Sequence, residues 1–187
     1  LAGTFQAVNA VTAAVMAHAS GLPLHDSLWA LPYVTGAEGR MQLVSGHPVG
    51  ARVVVDYAHT PDALESALKA LRPETRGRLA VVFGAGGDRD AGKRPMMGST
   101  AHKHADLVYV TDDNPRSEDA AAIRAAIIET CPDAIEIADR GDAIAAAMHD
   151  LNADDVLLIA GKGHESVQLV GSETLPFNDS SVARNAI

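Results

Sequence analysis

Apolar residues recur along the chain in two rhythms. Over residues 5–20, Phe5, Val8, Val11, Val15, Met16 and Ala19 fall at helical spacing. Gly21 and Pro23 predict where that helix stops, because glycine accepts the left-handed closing position and proline cannot continue the ladder. A second short helix is predicted over 24–33, carried by Leu24, Leu28 and Leu31 and closed before Pro32. Met41 to Val44 and Arg52 to Tyr57 read as strands around a turn at Gly46-His47-Pro48-Val49-Gly50. From Pro61 onward the rhythm becomes a regular alternation. Helices are predicted at 61–71, 94–104, 119–130 and 141–151, and strands at 79–83, 107–110, 135–138 and 156–160. Short, wholly apolar runs between helices are the mark of parallel strands buried on both faces. The expectation is an α/β fold with a Rossmann-like, mostly parallel, doubly wound sheet. Its tail, a strand at 168–170 and a helix at 181–187, is expected to cover an edge. The change of rhythm places a boundary after residue 56, giving units 1–56 and 57–187. No Pro/Gly/Ser-rich linker separates them, so a tight hinge is expected.

Composition narrows the partners. Of 187 residues, 47% are hydrophobic, enough for a substantial core. The 24 acids outnumber the 15 bases for a formal charge of −9, which argues against nucleic acid or an anionic membrane as the main partner. Within that acidic background Arg89, Lys93, Arg94 and Lys103 cluster, leaving room for a local anion site. The single cysteine, Cys131, excludes an internal disulfide framework and suits a reducing, cytoplasmic setting. No apolar run has the length of a membrane-spanning helix and no signal peptide is visible. The opening at Leu1 reads as the interior of a longer chain, so a fragment is expected.

Ligands of open parallel sheets bind at the carboxyl ends of the strands, and three polar loops stand at such ends. Gly84-Ala85-Gly86-Gly87-Asp88-Arg89-Asp90-Ala91-Gly92-Lys93-Arg94-Pro95 follows the strand at 79–83. It has neither the G-x-G-x-x-G register nor a closing Gly-Lys-Ser/Thr, so a dinucleotide or P-loop reading is disfavoured. Its glycines allow close backbone approach beside five charged residues. Thr111-Asp112-Asp113-Asn114-Pro115-Arg116 follows the strand at 107–110 and joins carboxylates, an amide and a guanidinium. Arginine forks match carboxylates, whereas Asp and Asn read ammonium groups, and a zwitterionic amino acid needs both. An Asx-type turn capping the next helix is the competing reading of that loop. Gly161-Lys162-Gly163-His164-Glu165 follows the strand at 156–160. Upstream, in Asp56-Tyr57-Ala58-His59-Thr60-Pro61, the more common fate of such residues is a helix cap for Asp56 and a buried histidine for His59, and Arg40 reads as a solvated charge.

Taken together, the loops resemble a known family. Asp-Tyr-Ala-His-Thr-Pro at 56–61 is similar to the hinge motif of Mur ligases. Gly-Gly-Asp-Arg-Asp-Ala-Gly-Lys-Arg-Pro at 86–95, Asp-Asn-Pro-Arg at 113–116 and Gly-Lys-Gly-His-Glu at 161–165 follow in order. The whole pattern resembles the diaminopimelate-adding branch of the Mur ligase family. The resemblance implies that Asp113, Asn114, Pro115 and Arg116, with Arg89, Gly161 and Glu165, bind meso-diaminopimelate. It implies that Asn9, Arg40, Asp56 and His59 border a nucleotide site, although Gln6 stands where the family usually has Asn. It implies a terminal amino-acid-binding domain attached to the end of a central ATPase domain.

The family reaction is an ATP- and Mg2+-dependent amide ligation in cell-wall peptidoglycan synthesis. The D-glutamyl carboxylate of UDP-N-acetylmuramoyl-dipeptide is activated, and the diaminopimelate amine attacks it. The phosphate loop, the magnesium site and the first domain of complete Mur ligases have no counterpart in this sequence. No catalytic residue and no metal ligand is therefore assigned, and a monomeric fragment inactive by itself is expected. The alternatives are a lysine-adding Mur ligase, a folylpolyglutamate synthase relative, both disfavoured by Asp-Asn-Pro-Arg, and a non-catalytic amino-acid-binding module.

Overall fold

A computed structural model of the chain describes residues 4–34, 36–44 and 46–187. The apolar runs assemble into a six-stranded sheet of β1 (Gln42–Val44), β2 (Arg52–Asp56), β3 (Leu79–Phe83), β4 (Leu107–Val110), β5 (Ile135–Glu136) and β6 (Val156–Ala160), in the order β1-β2-β6-β3-β4-β5. The β1–β2 pair is antiparallel and every other pair in the sheet is parallel. In β3 the two-residue period sends Leu79, Val81 and Phe83 to one face and Ala80 and Val82 to the other, and all five are buried.

Each face has its own helical layer. On the first, α3 (Pro61–Leu71), α4 (Lys93–His104) and α5 (Ala120–Ile128) bury Leu64, Leu68, Met97, Ile123 and Ile127. On the second, α6 (Arg140–His149) and α7 (Asp179–Asn185) bury Ile144, Met148 and Ala183. Polar side chains fix where several of these helices begin. Thr60, Asp119, Asp139 and Asn178 each accept a bond from a first-turn amide, and so set the length of the loops before them.

The sheet does not divide where the sequence rhythm does. Five positions of β2, from Arg52 against Val156 to Asp56 against Ala160, pair with β6, and Val53 and Val55 are fully buried in the second layer. The change of pattern near residue 57 marks the start of α3, because hydrophobic period reports local geometry and not which strand is the partner. The helices α1 (Thr4–Ala19) and α2 (Leu24–Ala30) and the following 3-10 turn lie outside the sheet and its two layers, as does the hairpin of the tail.

Two further expectations change. The apolar stripe of α1 is uncovered: Val8, Val11, Val15 and Met16 are all exposed, while Ala14 is buried. Phe5, assigned to the same stripe, lies outside the residues whose side chains are described. The tail forms a hairpin of β7 (Val167–Val170) and β8 (Glu173–Pro176). Every residue of β8 is exposed, so no burial pattern announced it. The sequence reading placed a strand over 135–138, but β5 spans two exposed residues.

This architecture makes a truncation test decisive. Residues 39–187 are expected to unfold cooperatively on heating, followed by circular dichroism. Residues 57–187, which lack β1 and β2 and leave β6 with an open edge, are expected to be molten or insoluble. Cooperative unfolding of the shorter piece would restore the boundary at residue 56.

Candidate functional site: three strand-end loops and a neighbouring groove

The strand order brings the three loops together. The chain winds outward over β3, β4 and β5 and then returns to lay β6 beside β3, so the segments after β3, β4 and β6 meet at one carboxyl edge. The first two are stitched through Gly87, whose amide donates to the Asn114 carbonyl at 2.9 Å. A Cβ on Gly87 would lie 1.9 Å from the Pro115 carbonyl oxygen, so only glycine permits this approach. The carboxylates here are occupied within the protein. Buried Arg94 donates from one nitrogen to both oxygens of Glu118 at 2.8 Å, and Glu118 accepts from the Asp88 amide. Asp88 accepts from the Ser117 hydroxyl at 2.7 Å and from the Ser117 amide. Asp112 pairs with Arg124. Asp88 and Arg116 both hold left-handed backbone, φ 53° and 52°, a conformation non-glycine residues adopt at a cost.

A second seam joins the Asn114 loop to the loop after β6. Lys162 is completely buried, and its ammonium donates to Asn114 Oδ1 at 2.9 Å and Glu165 Oε2 at 3.0 Å, with Asp113 Oδ1 at 3.9 Å. The Asn114 amide nitrogen donates to the same Glu165 oxygen at 3.1 Å. Burial tends to raise the Glu165 pKa, but the bonds from Lys162 and Asn114 win, and the carboxyl is held below its ordinary value. Gly161 has φ +119°, and a Cβ there would sit 2.7 Å from Asp113 Oδ2. Under the loop, Arg140 is fully buried, forks onto Asp179 with two bonds of 2.8 Å, and donates to the carbonyl of Ala160, the last residue of β6.

The tail, expected to cover an edge, walls this site. Leu169 N donates to Asn114 Oδ1, Gln168 Nε2 donates to the Asp113 carbonyl at 2.7 Å, and the Arg116 backbone exchanges bonds with Leu169 and Gly171.

Three loop cations stand outside the ion pairs. Arg89, Lys93 and Arg116 form no ion pair among the described residues. Arg116 donates to the Gly87 carbonyl at 2.8 Å, and Lys93 to the His59 carbonyl at 2.9 Å. A Cβ on Gly86 would meet Arg116 Nη1 at 2.9 Å and Arg89 Cγ at 3.8 Å, so the two arginines pass the same glycine. Burial lowers the Lys93 pKa, against the pull of Asp113 and Asp90. Two arginines that pass one glycine and make no ion pair among the described residues can receive an anionic group.

The other predicted set divides. Asn9, Arg40 and Asp56 line one open groove of about 890 Å³ between α1 and α3, together with Gln6, Ser66 and small residues including Ala63 and Ala67. Gln6 is buried and donates to the Arg40 carbonyl at 3.2 Å, giving the departure from the family pattern a structural task. The Arg40 guanidinium lies 4.7 Å over the Tyr57 ring. Asp56 accepts from the Met41 amide at 2.8 Å, yet burial outweighs that bond and raises its pKa. His59 does not line the groove. It packs edge-on to Tyr57, and its carbonyl takes the Lys93 ammonium. Tyr57, with His59 on one side and His164 at 5.3 Å, stands between groove and loops.

All seven residues predicted for the amino acid, Arg89, Asp113, Asn114, Pro115, Arg116, Gly161 and Glu165, come to this carboxyl edge. Sequence reasoning passed over Lys162, Arg140, Gln168 and the hairpin. Lys162 carried a visible signal, a cation two residues past a wholly apolar strand, but its partner Asn114 is 48 residues away and only the fold brings that pair together. Among the described residues no cluster of three or more His, Cys, Asp or Glu is placed to hold a metal ion. None of their helices is long and apolar enough to cross a membrane.

The Gly87 contact gives a prediction. Gly87→Ala is expected to destabilise the fold by about 1–3 kcal/mol, the usual cost of overpacking, as read from urea denaturation. Unchanged stability would show that the two loops separate without cost.

Comparison with known proteins agrees with this geometry. The model of the Mur ligase glutamate ligase domain matches residues 39–163, beginning just before β1 and not at residue 57. A UDP-N-acetylmuramoyl-L-alanyl-D-glutamate–2,6-diaminopimelate ligase from Chelativorans sp. is 53% identical over the whole chain. A solved ligase of the same description superposes with a TM-score of 0.79 at 40% identity and full coverage of this chain. A Mycobacterium tuberculosis folylpolyglutamate synthase covers 86% of the chain with a TM-score of 0.65 and 26% identity. The chain spans 39% of the length of the Chelativorans relative and 39% of the solved ligase. The chain belongs to the Mur ligase family, whose glutamate ligase domain forms its sheet and its loops.

Proposed function

We propose that this chain is the amino-acid-binding part of a ligase that adds meso-diaminopimelate to UDP-N-acetylmuramoyl-L-alanyl-D-glutamate in peptidoglycan synthesis. The observation that carries the reading is the charge left over at the loops. Arg89, Arg116 and Lys93 lie free of ion pairs beside Asp113 and Glu165, in a chain of net charge −9. Diaminopimelate differs from lysine by one further carboxylate, and a guanidinium fork is the group that reads it. Arg116, half-buried and fixed by the Gly87 carbonyl, takes the distal carboxylate, with Arg89 beside it. Asp113 and Glu165 face the ammonium side. The relatives named for this reaction and the Asp113–Arg116 motif point the same way.

The family's nucleotide fits the groove in part. Asn9 offers an amide, Arg40 a cation without an ion pair, and the small side chains of α1 and α3 a surface for a flat ring. ATP there would supply the phosphoryl group that activates the glutamyl carboxylate. For magnesium the described residues offer no donor cluster, and no role is assigned to them with it. The residues of this chain bind and orient the amino acid and direct its amine toward the neighbouring groove. We place the join to the central domain before residue 39, with α1 and α2 as the end of that domain. The apolar stripe of Val8, Val11, Val15 and Met16 would pack against its remainder.

Calorimetry with meso-diaminopimelate and with ATP, each alone, tests the reading. Heat of binding is expected with the amino acid, and no tripeptide product from the isolated chain. Absence of diaminopimelate binding, or tripeptide formation, would sink the proposal. In the complete enzyme, Arg116→Lys keeps the charge and loses the fork. It is expected to lower the preference for diaminopimelate over lysine by about tenfold or more, the scale of one lost bidentate pair of about 1–3 kcal/mol. A preference left intact removes Arg116 from the role.

A further inference from the structure

The proposed ligand contacts leave Lys162 unexplained. A lysine with no exposed surface is uncommon and costly unless its charge is matched. Here the match is made by the recognition residues themselves: Asn114 Oδ1 at 2.9 Å, Glu165 Oε2 at 3.0 Å and Asp113 Oδ1 at 3.9 Å. These groups come from two loops on different strands. The backbone amide of Leu169 in β7 shares Asn114 Oδ1 with the ammonium, so three segments meet at one cation.

We propose that Lys162 is a specificity-determining positioning residue, a built-in ammonium that offsets the pocket carboxylates and keeps the pocket from carrying net negative charge. The inference rests on the amino-acid reading above. With Lys162, the cations Arg89, Lys93, Arg116 and Lys162 balance the carboxylates of Asp88, Asp90, Asp113 and Glu165; without it the pocket carries one net negative charge. A ligand bearing two ammonium groups and a single carboxylate is net positive and would gain from that negative charge. A ligand with a second carboxylate has no net charge and fits the balanced pocket. Discrimination between lysine and diaminopimelate then comes from withholding that attraction as much as from the Arg116 fork. Lys162 does this without touching the ligand, because its nitrogen is enclosed by Asn114 and Glu165.

Two substitutions in the 187-residue chain separate charge from packing. Lys162→Met keeps the length and loses the charge, while Lys162→Arg keeps the charge and strains the packing. Binding of meso-diaminopimelate and L-lysine is measured for both and for the unaltered chain by competition calorimetry, with near-ultraviolet circular dichroism as the check on fold. Lys162→Met is expected to bind diaminopimelate about tenfold more weakly, the scale of one unbalanced charge in a partly buried site. Its affinity for lysine is expected to be unchanged or higher, and Lys162→Arg to retain diaminopimelate binding better than Lys162→Met. A loss under threefold in Lys162→Met, an equal loss for both ligands, or tighter binding by Lys162→Met than by Lys162→Arg would overturn the inference. If Lys162→Met does not fold, Lys162→Gln, neutral but still a hydrogen-bond donor, is read against the same limits. Failure of the unaltered chain to bind diaminopimelate defeats the functional reading instead, so the two failures are distinct.

Discussion

Asn114 holds the candidate site together by spending both ends of its side chain inside the protein. Its nitrogen donates to Glu165, and its oxygen accepts from Lys162 and from the backbone of Leu169. This one amide ties the loop after β4 to a stretch 48 to 55 residues further on, and it is buried, so each bond is made where an unmade one is most costly. The geometry of Arg116, two residues on, follows from it. With Asn114 fixed and Gly87 pressed against Pro115, the Arg116 guanidinium has few places to go.

The same economy explains the charge of the site. Loop carboxylates serve as structural ties: Glu118 to Arg94, Asp112 to Arg124, Glu165 to Lys162, Asp88 to Ser117. The ion pairs among them use one cation for each carboxylate, and Arg89, Lys93 and Arg116 stay outside those pairs among the described residues. In a chain with nine more acids than bases the result is a mouth whose cations and carboxylates balance locally, while the molecule as a whole is acidic. Ligand selection by such a mouth depends on which charges the protein has already paired, and a residue count does not reveal that.

Much of the site was legible in sequence. The three loops, their position after apolar strands and the ion-pairing logic of Asp113 and Arg116 follow from residue types and spacing, and the motif resemblance singled out the seven amino-acid contacts that the fold brings to one edge. The nucleotide residues were less uniform. Asn9, Arg40 and Asp56 share a groove, while His59 turns toward Lys93 because its ring packs on Tyr57. Lys162 and the β7–β8 hairpin were passed over because their importance lies in their partners. An exposed strand such as β8 has no hydrophobic rhythm to detect.

The sequence by itself determined most of the elements: where the helices and the strands β1 to β4 and β6 lie, that β3 and β6 are buried on both faces, and that the loops at the strand ends carry recognition chemistry. Local period and local composition carry that information, because they follow from backbone geometry within one or two turns. Only the tertiary structure decided the partners. It set β2 against β6, so that residues on both sides of position 57 share one sheet, and it left the α1 stripe uncovered. It also turned the tail into a wall of the site and placed a buried ammonium among the recognition carboxylates. Pairing over long separations depends on shape and charge summed over the whole fold, and a local pattern along the chain does not record that sum.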